Sequence, residues 1–180
     1  EPEGTPVNQP VVIITGASRG LGAAIARRLP RLGASVVLNA RSEADLVAVA
    51  HEIRRDGGRV EVVAGDIRQP ELCEQLVRTA LDRFGRLDAV INNAATLEPV
   101  APVAEADPDA WARALALNVI APVLLSRAAL PALRVQQGRI LNVSSGAAIR
   151  PKTAWAAYNA SKAALNQITA TLAREEPAIT

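Results

Sequence analysis

Between Val11 and Glu175 the chain repeats one alternation five times: a short apolar run, then a longer stretch with apolar residues at helical spacing. A strand whose residues are apolar in succession must be covered on both faces. Strand–helix alternation supplies that cover, because each right-handed crossover lays its helix against a parallel sheet. The pattern predicts an α/β fold: a doubly wound parallel sheet built from five βα units. The strands are expected over residues 11–14, 35–38, 60–64, 87–91 and 140–143.

The first helix is expected to present Leu21, Ile25, Leu29 and Leu32 as one stripe and to stop at Gly33. Leu46, Val49, Ala50 and Ile53 mark the second helix. The third starts near Pro70, carries Leu72, Leu76, Ala80 and Phe84, and ends at Gly85. Asp107-Pro108 reads as a cap followed by proline at the first helical position, opening a helix that runs towards Pro131. The last helix spans roughly residues 157–175.

The 180 residues suffice for one domain with a full core and are too few for two comfortable ones. Residues 1–9 are polar and proline-containing, unlike a signal peptide, and are read as a flexible tail before a single domain over 10–180. A net charge of +2 supplies no basic face for a nucleic acid. No uninterrupted apolar run approaches the roughly 18 residues that span a bilayer, so no membrane partner is expected. The single cysteine, Cys73, excludes an internal disulfide and fits a reducing, cytoplasmic setting. It falls in a helical pattern and is read as inert packing. One histidine, His51, and no Cys/His cluster leave no metal site, and His51 is expected on a helix surface. The chain contains no methionine, so it is read as a processed or excised piece.

Between the first strand and first helix stands Thr15-Gly16-Ala17-Ser18-Arg19-Gly20-Leu21-Gly22. Glycines at this corner allow a tight turn, close approach of backbone N–H groups to a pyrophosphate, and close helix–strand packing. The helix N-terminus adds partial positive charge. The spacing Gly-x-x-x-Gly-x-Gly resembles that of the short-chain dehydrogenase/reductase family, and the resemblance extends from Val11 to the chain end. It implies a Rossmann-type sheet, with Gly16, Ser18, Arg19, Gly20, Leu21 and Gly22 around the phosphates of a nicotinamide dinucleotide.

An acidic residue about 20 positions beyond the glycines holds the adenosine ribose in NAD-using sites. Aligned on the family pattern, that position is Ala40 here, followed by Arg41. A carboxylate would repel the extra phosphate of NADP, whereas a guanidinium can hold it bidentately. Arg41 and Arg19 therefore favour NADP(H) over NAD. Asp66-Ile67 resembles the family's adenine-contacting pair. Asn92-Asn93-Ala94-Ala95 resembles its Asn-Asn-Ala-Gly signature, with Asn93 and Ala94 as cofactor contacts and Ala95 as a departure that narrows the adjoining space.

Tyr158-Asn159-Ala160-Ser161-Lys162 matches the family's Tyr-x-x-x-Lys motif at the head of the last helix. Four residues apart on a helix puts both side chains on one face. A phenol holds its proton until about pH 10, and an ammonium beside it stabilises the phenolate. The resemblance implies Tyr158 as proton donor, with Lys162 holding the nicotinamide ribose. It implies Ser145 as the residue that polarises a carbonyl, ahead of its neighbour Ser144, and Asn118 as the fourth catalytic residue, acting through its backbone carbonyl. Pro122 lacks the N–H that would bond that carbonyl in a regular helix, so a kink there is expected to free it.

These residues together imply an NADPH-dependent oxidoreductase reducing a small ketone or aldehyde to an alcohol. The run from Val143 to Ala148, with Glu175-Glu176-Pro177, looks most like the sepiapterin and benzil reductase branch. Family members continue past this point with further strands, so the last strands of the fold are expected to be absent and residues 140–143 to form an open apolar edge. The competing readings are an idle NADP-binding chain and an interaction module. A homodimer or homotetramer is a family expectation.

Overall fold

The computed structural model describes residues 9–180, so the expected tail lies outside the described residues apart from Gln9. One five-stranded sheet has β1 Val11–Thr15 at its centre, with β2 Ser35–Ala40 and β3 Val60–Ala64 to one side. On the other side lie β4 Ala89–Asn92 and β5 Arg139–Asn142, giving the order β3-β2-β1-β4-β5. All four pairings are parallel. The fold class read from the alternation is the one observed.

The helices are α1 Gly20–Arg31, α2 Glu43–Arg55, α3 Pro70–Phe84, α4 Pro108–Leu115, α5 Ala121–Gln136 and α6 Ala156–Glu175. Two apolar layers sandwich the sheet. One joins Ile13, Val37 and Val90 to Leu72 and Leu76 of α3 and Leu125, Ala129 and Leu133 of α5. The other joins Ile14, Val36 and Leu38 to Ala23 and Ala26 of α1 and Leu46, Val49 and Ile53 of α2. The successive burial of Val11 to Thr15 matches a strand covered on both faces.

Two local expectations are corrected, and a third takes a specific form. In α1, Leu21 and Leu32 are 56% and 64% exposed, and the buried residues are Gly22, Ala23 and Ala26. Ile25 and Leu29, the middle of the expected stripe, are half-buried and pack against this second layer, so only the two ends of the stripe turn outward. The helix opened by Asp107 does not stop near Pro131 but runs on to Gln136, with Pro131 inside α5 and exposed. At Pro122, the expected site of a kink, the helix continues but its regular register is lost just ahead of the proline. Between α4 and α5 the chain makes a π turn over Ala116–Ile120, with the N–H of Ala121 reaching back to the carbonyl of Ala116. A π turn inserts one extra residue and so accommodates a proline that cannot close the α register.

The 108–136 helix is the one among the described residues long and apolar enough to cross a membrane, by length and composition alone. Its row Ala121, Leu125, Ala129 and Leu133 is buried in the core of this fold. Cys73 is 1% exposed, as expected of a packing residue, and burial pushes its thiol up to about 11. His51 is exposed on α2.

At the outer edge, β5 exposes Leu141 to 47%. Its backbone is not wholly bare: Ile140 N–H donates to the Thr180 carbonyl at 3.0 Å, and Thr180 N–H donates to the Gly138 carbonyl at 3.1 Å.

Candidate active site

The chain leaves β3 by returning across the sheet to β4, on the far side of β1. In open α/β sheets ligands sit outside the carboxyl ends of the strands, where the order reverses. Here the reversal lies between β1 and β4. The glycine turn follows β1 and the Asn93–Thr96 segment follows β4, so these two loops flank it.

Gly16 and Gly20 have φ of +64° and +55°, conformations that L side chains rarely adopt. A Cβ on Gly16 would lie 2.8 Å from Asn93 Nδ2, and one on Gly22 only 2.3 Å from the Gly16 carbonyl oxygen. Gly20 faces open space, so backbone angle alone demands glycine there. Arg19 is the N-cap of α1 with no side-chain capping bond, and no acidic residue stands in the first turn. By contrast, Ser42 caps α2 from its side chain and Asp107 caps α4. The α1 terminus thus keeps unsatisfied N–H groups and an uncompensated positive dipole end, which suits an anion.

Thr15, which the sequence reading passed over, binds the two loops together. Its Oγ1 accepts from the N–H groups of Asn93 and Ala94, both at 3.1 Å. Asn93 Nδ2 donates to the carbonyls of Thr15 at 2.9 Å and Gly16 at 3.2 Å. The Asn93 amide and the Ala94 N–H are therefore spent on holding the glycine turn. Ala95 is exposed.

Arg41 is exposed beyond β2, and Asp66 follows β3 on the same edge. The Arg68 guanidinium, paired with Asp66, holds that carboxyl below its ordinary range, with Arg41 adding a smaller pull. Ile67, the other member of the Asp66-Ile67 pair, packs inward. It is 5% exposed in the core, and its carbonyl accepts from Cys73 Sγ at 3.4 Å.

Tyr158 and Lys162 stand on one face of α6, as their spacing requires. Lys162 Nζ lies 5.6 Å from the centre of the Tyr158 ring and donates to the Val143 carbonyl, just past β5, at 2.7 Å. The residue is 3% exposed, and burial pushes its amine below the ordinary lysine value. The unfolded chain then holds a proton that the folded chain sheds more readily, so this group favours folding increasingly as pH rises towards 10.5. Both side chains lie at the carboxyl edge of the sheet, the edge that carries the glycine turn.

Ser145 caps a short 3-10 turn, its Oγ accepting from the Ala147 N–H at 3.2 Å. Its own proton is not committed to another described residue. Ser144 donates instead to Asn166 Oδ1 on α6 at 2.6 Å, which separates the two serines.

Asn118 sits in the π turn, 1% exposed, and its side chain is fully engaged. Its Nδ2 donates to the Thr96 carbonyl at 2.8 Å and to Ser161 Oγ at 3.1 Å. Its Oδ1 accepts from the Thr96 N–H at 2.8 Å. Neither Thr96 nor Ser161 was singled out from sequence. Ser161 stood inside the quoted motif, but nothing at Thr96 signals a backbone partner.

The profile described as short chain dehydrogenase matches residues 10–178. An uncharacterised oxidoreductase of Schizosaccharomyces pombe is 38% identical over 169 residues, covering 94% of this chain and 66% of that protein. The chain spans about two thirds of the length of such curated relatives. Among solved structures, a metagenomic short-chain oxidoreductase in complex with NADP is 40% identical with a TM-score of 0.89, covering 94% of this chain and 78% of that one. An NAD+-bound xylitol dehydrogenase is 29% identical with a TM-score of 0.91, covering 97% and 68%. With the glycine cradle, the paired Tyr158 and Lys162 and this profile in agreement, the chain belongs to the short-chain dehydrogenase/reductase family of oxidoreductases.

Proposed function

We propose that this chain binds NADPH and reduces the carbonyl of a small ketone or aldehyde to an alcohol. The observation that carries the reading is the buried Lys162 amine, anchored on the Val143 carbonyl beside the Tyr158 ring, at the sheet edge that holds the glycine cradle. The turn fits a pyrophosphate, since its backbone at Gly20 faces open space at the uncapped N-terminus of α1, while the close approaches at Gly16 and Gly22 hold the loop against Asn93 and itself. Gly16, Ser18, Arg19, Gly20, Leu21 and Gly22 would hold the phosphates. Arg41 with Arg19 would hold the additional phosphate of NADP. Asp66, Ile67, Asn93 and Ala94 would line the adenosine and nicotinamide ends, with Lys162 on the ribose.

When bound, a reduced nicotinamide supplies a hydride to the carbonyl carbon. Tyr158 supplies the proton that the oxygen takes up, and Ser145 donates a hydrogen bond to that oxygen as negative charge develops. Lys162 keeps positive charge beside the phenol, which stabilises it once its proton has left. Asn118 holds the loop after β4 against α6. The preference for NADP rests on Ala40 and Arg41 and on likeness to the NADP complex, against the NAD-bound relative that shares the fold.

A homodimer or homotetramer is the proposed assembly. An apolar groove between α5 and α6, lined by Pro122, Val123, Leu130, Ile168 and Leu172, supports it. A cytoplasmic site of action belongs to the same proposal, with which the buried, unpaired Cys73 agrees.

The test is NADPH and NADH binding by fluorescence, then oxidation of NADPH with a panel of diketones, pteridines and ketoacyl thioesters. Tighter binding of NADPH and turnover that Tyr158→Phe abolishes are expected. Binding without turnover on any carbonyl would favour an idle cofactor-binding chain instead.

A further inference from the structure

We infer that Ser161 is a positioning residue that locks the turn of α6 carrying Tyr158 to the loop after β4, by way of Asn118. The inference rests on the reading of Tyr158 and Lys162 as the reaction centre. Ser161 is fully buried, one residue before Lys162. Its Oγ donates to the Tyr158 carbonyl at 2.8 Å and accepts from Asn118 Nδ2 at 3.1 Å. Asn118 in turn clamps both backbone groups of Thr96. A continuous path therefore runs from the Tyr158 main chain through one hydroxyl and one amide to the Thr96 segment.

The path has a definite polarity. Ser161 has a single proton, and that proton is on the Tyr158 carbonyl, so its oxygen serves Asn118 only as acceptor. Asn118 has two amide protons, of which one goes to Thr96 and one to Ser161, while its oxygen takes the Thr96 N–H. Every hydrogen atom in the chain has one destination. In a buried setting such a fully satisfied network holds one arrangement, whereas loss of one member leaves a buried donor without an acceptor.

The element geometry makes this path available. Asn118 belongs to the π turn, and α6 packs against that turn as well as against α4. The Ser161 hydroxyl bonds back within α6 to residue 158, three positions earlier, and so reaches the first turn, where Tyr158 stands. Ser161 has no contact with the carbonyl substrate in this scheme. It acts through the depth and rotation at which α6 presents Tyr158 and Lys162 to the Thr96 segment.

The test uses the chain with Ser161→Ala and, retaining the hydroxyl, Ser161→Thr. In Ser161→Ala the Thr96 amide should exchange with solvent about tenfold faster, while the Val37 amide in the central sheet keeps its protection. With the carbonyl substrate found in the panel, kcat should fall about tenfold, with Kd for NADPH within about twofold. Ser161→Thr should recover most of both effects. Unchanged Thr96 exchange in a folded Ser161→Ala, or an equal loss in Ser161→Thr, overturns the inference. Should Ser161→Ala not fold, Ser161→Cys replaces the strong hydrogen bond by a weak one, and the same Thr96 readout decides. Absence of turnover with every carbonyl would sink the proposed reaction, while Thr96 exchange would still decide the role of Ser161.

Discussion

At the scale of single residues, the glycine turn separates two reasons for needing glycine. At Gly22 the reason is space, since a Cβ would stand 2.3 Å from the Gly16 oxygen. At Gly20 it is backbone angle, with φ at +55° and open space around it. Gly22→Ala should therefore cost about 1–3 kcal/mol through overpacking and lower Tm by roughly 2–10 °C in a chain of this size. It should also abolish NADPH binding, because the turn must shift. Gly20→Ala should cost about 1–2 kcal/mol from the left-handed backbone alone and should weaken binding without abolishing it. Thermal unfolding and fluorescence titration of the two variants check the contrast. Equal loss of binding in both would show that space is not the controlling factor at Gly22.

At the scale of elements, the π turn between α4 and α5 marks where local stability is set against placement. Pro122 has no N–H to close a regular helical bond on the Asn118 carbonyl, and the turn ahead of it widens. Pro122→Ala restores that N–H and lets the helix regularise. Tm should rise by a few degrees, since proline inside a helix costs up to about 3 kcal/mol relative to alanine. Activity should fall, because Asn118 loses the position from which it reaches both Thr96 and Ser161. A rise in Tm with undiminished kcat would show that the wide turn has no bearing on the site. The element scale also accounts for α1, which buries Gly22, Ala23 and Ala26, half-buries Ile25 and Leu29 against the second layer, and leaves Leu21 and Leu32 outward at its ends.

At the scale of the whole molecule, the sheet has one well-covered centre and one weak edge. β1 is buried along its full length, whereas β5 has Arg139 and Leu141 exposed and a short pairing to Thr180 as its outer cover. An apolar side chain on an exposed edge invites strand pairing between molecules. Leu141→Lys should reduce concentration-dependent light scattering and leave NADPH binding unchanged, since Leu141 lies outside the glycine cradle. Scattering that persists in Leu141→Lys would direct attention to the α5–α6 groove as the contact between copies.

The sequence by itself determined the five βα units, the parallel sheet and the glycine cradle. Each depends on interactions between residues close in the chain: apolar runs that need cover on both faces, a tight turn, and a four-residue spacing that places Tyr158 and Lys162 together. Pro70 and Gly85 likewise bounded α3 from sequence alone. Tertiary structure alone decided that Leu21 and Leu32, at the ends of the α1 stripe, turn outward while Ala23 and Ala26 are buried, because that depends on how the helix is laid on the sheet. It also decided that Asn93 and Thr15 bind the glycine turn to β4, and that the Asn118 amide serves Thr96 and Ser161. Those partners lie tens of residues apart, and a hydrogen bond between distant residues leaves no periodicity or spacing from which to read it.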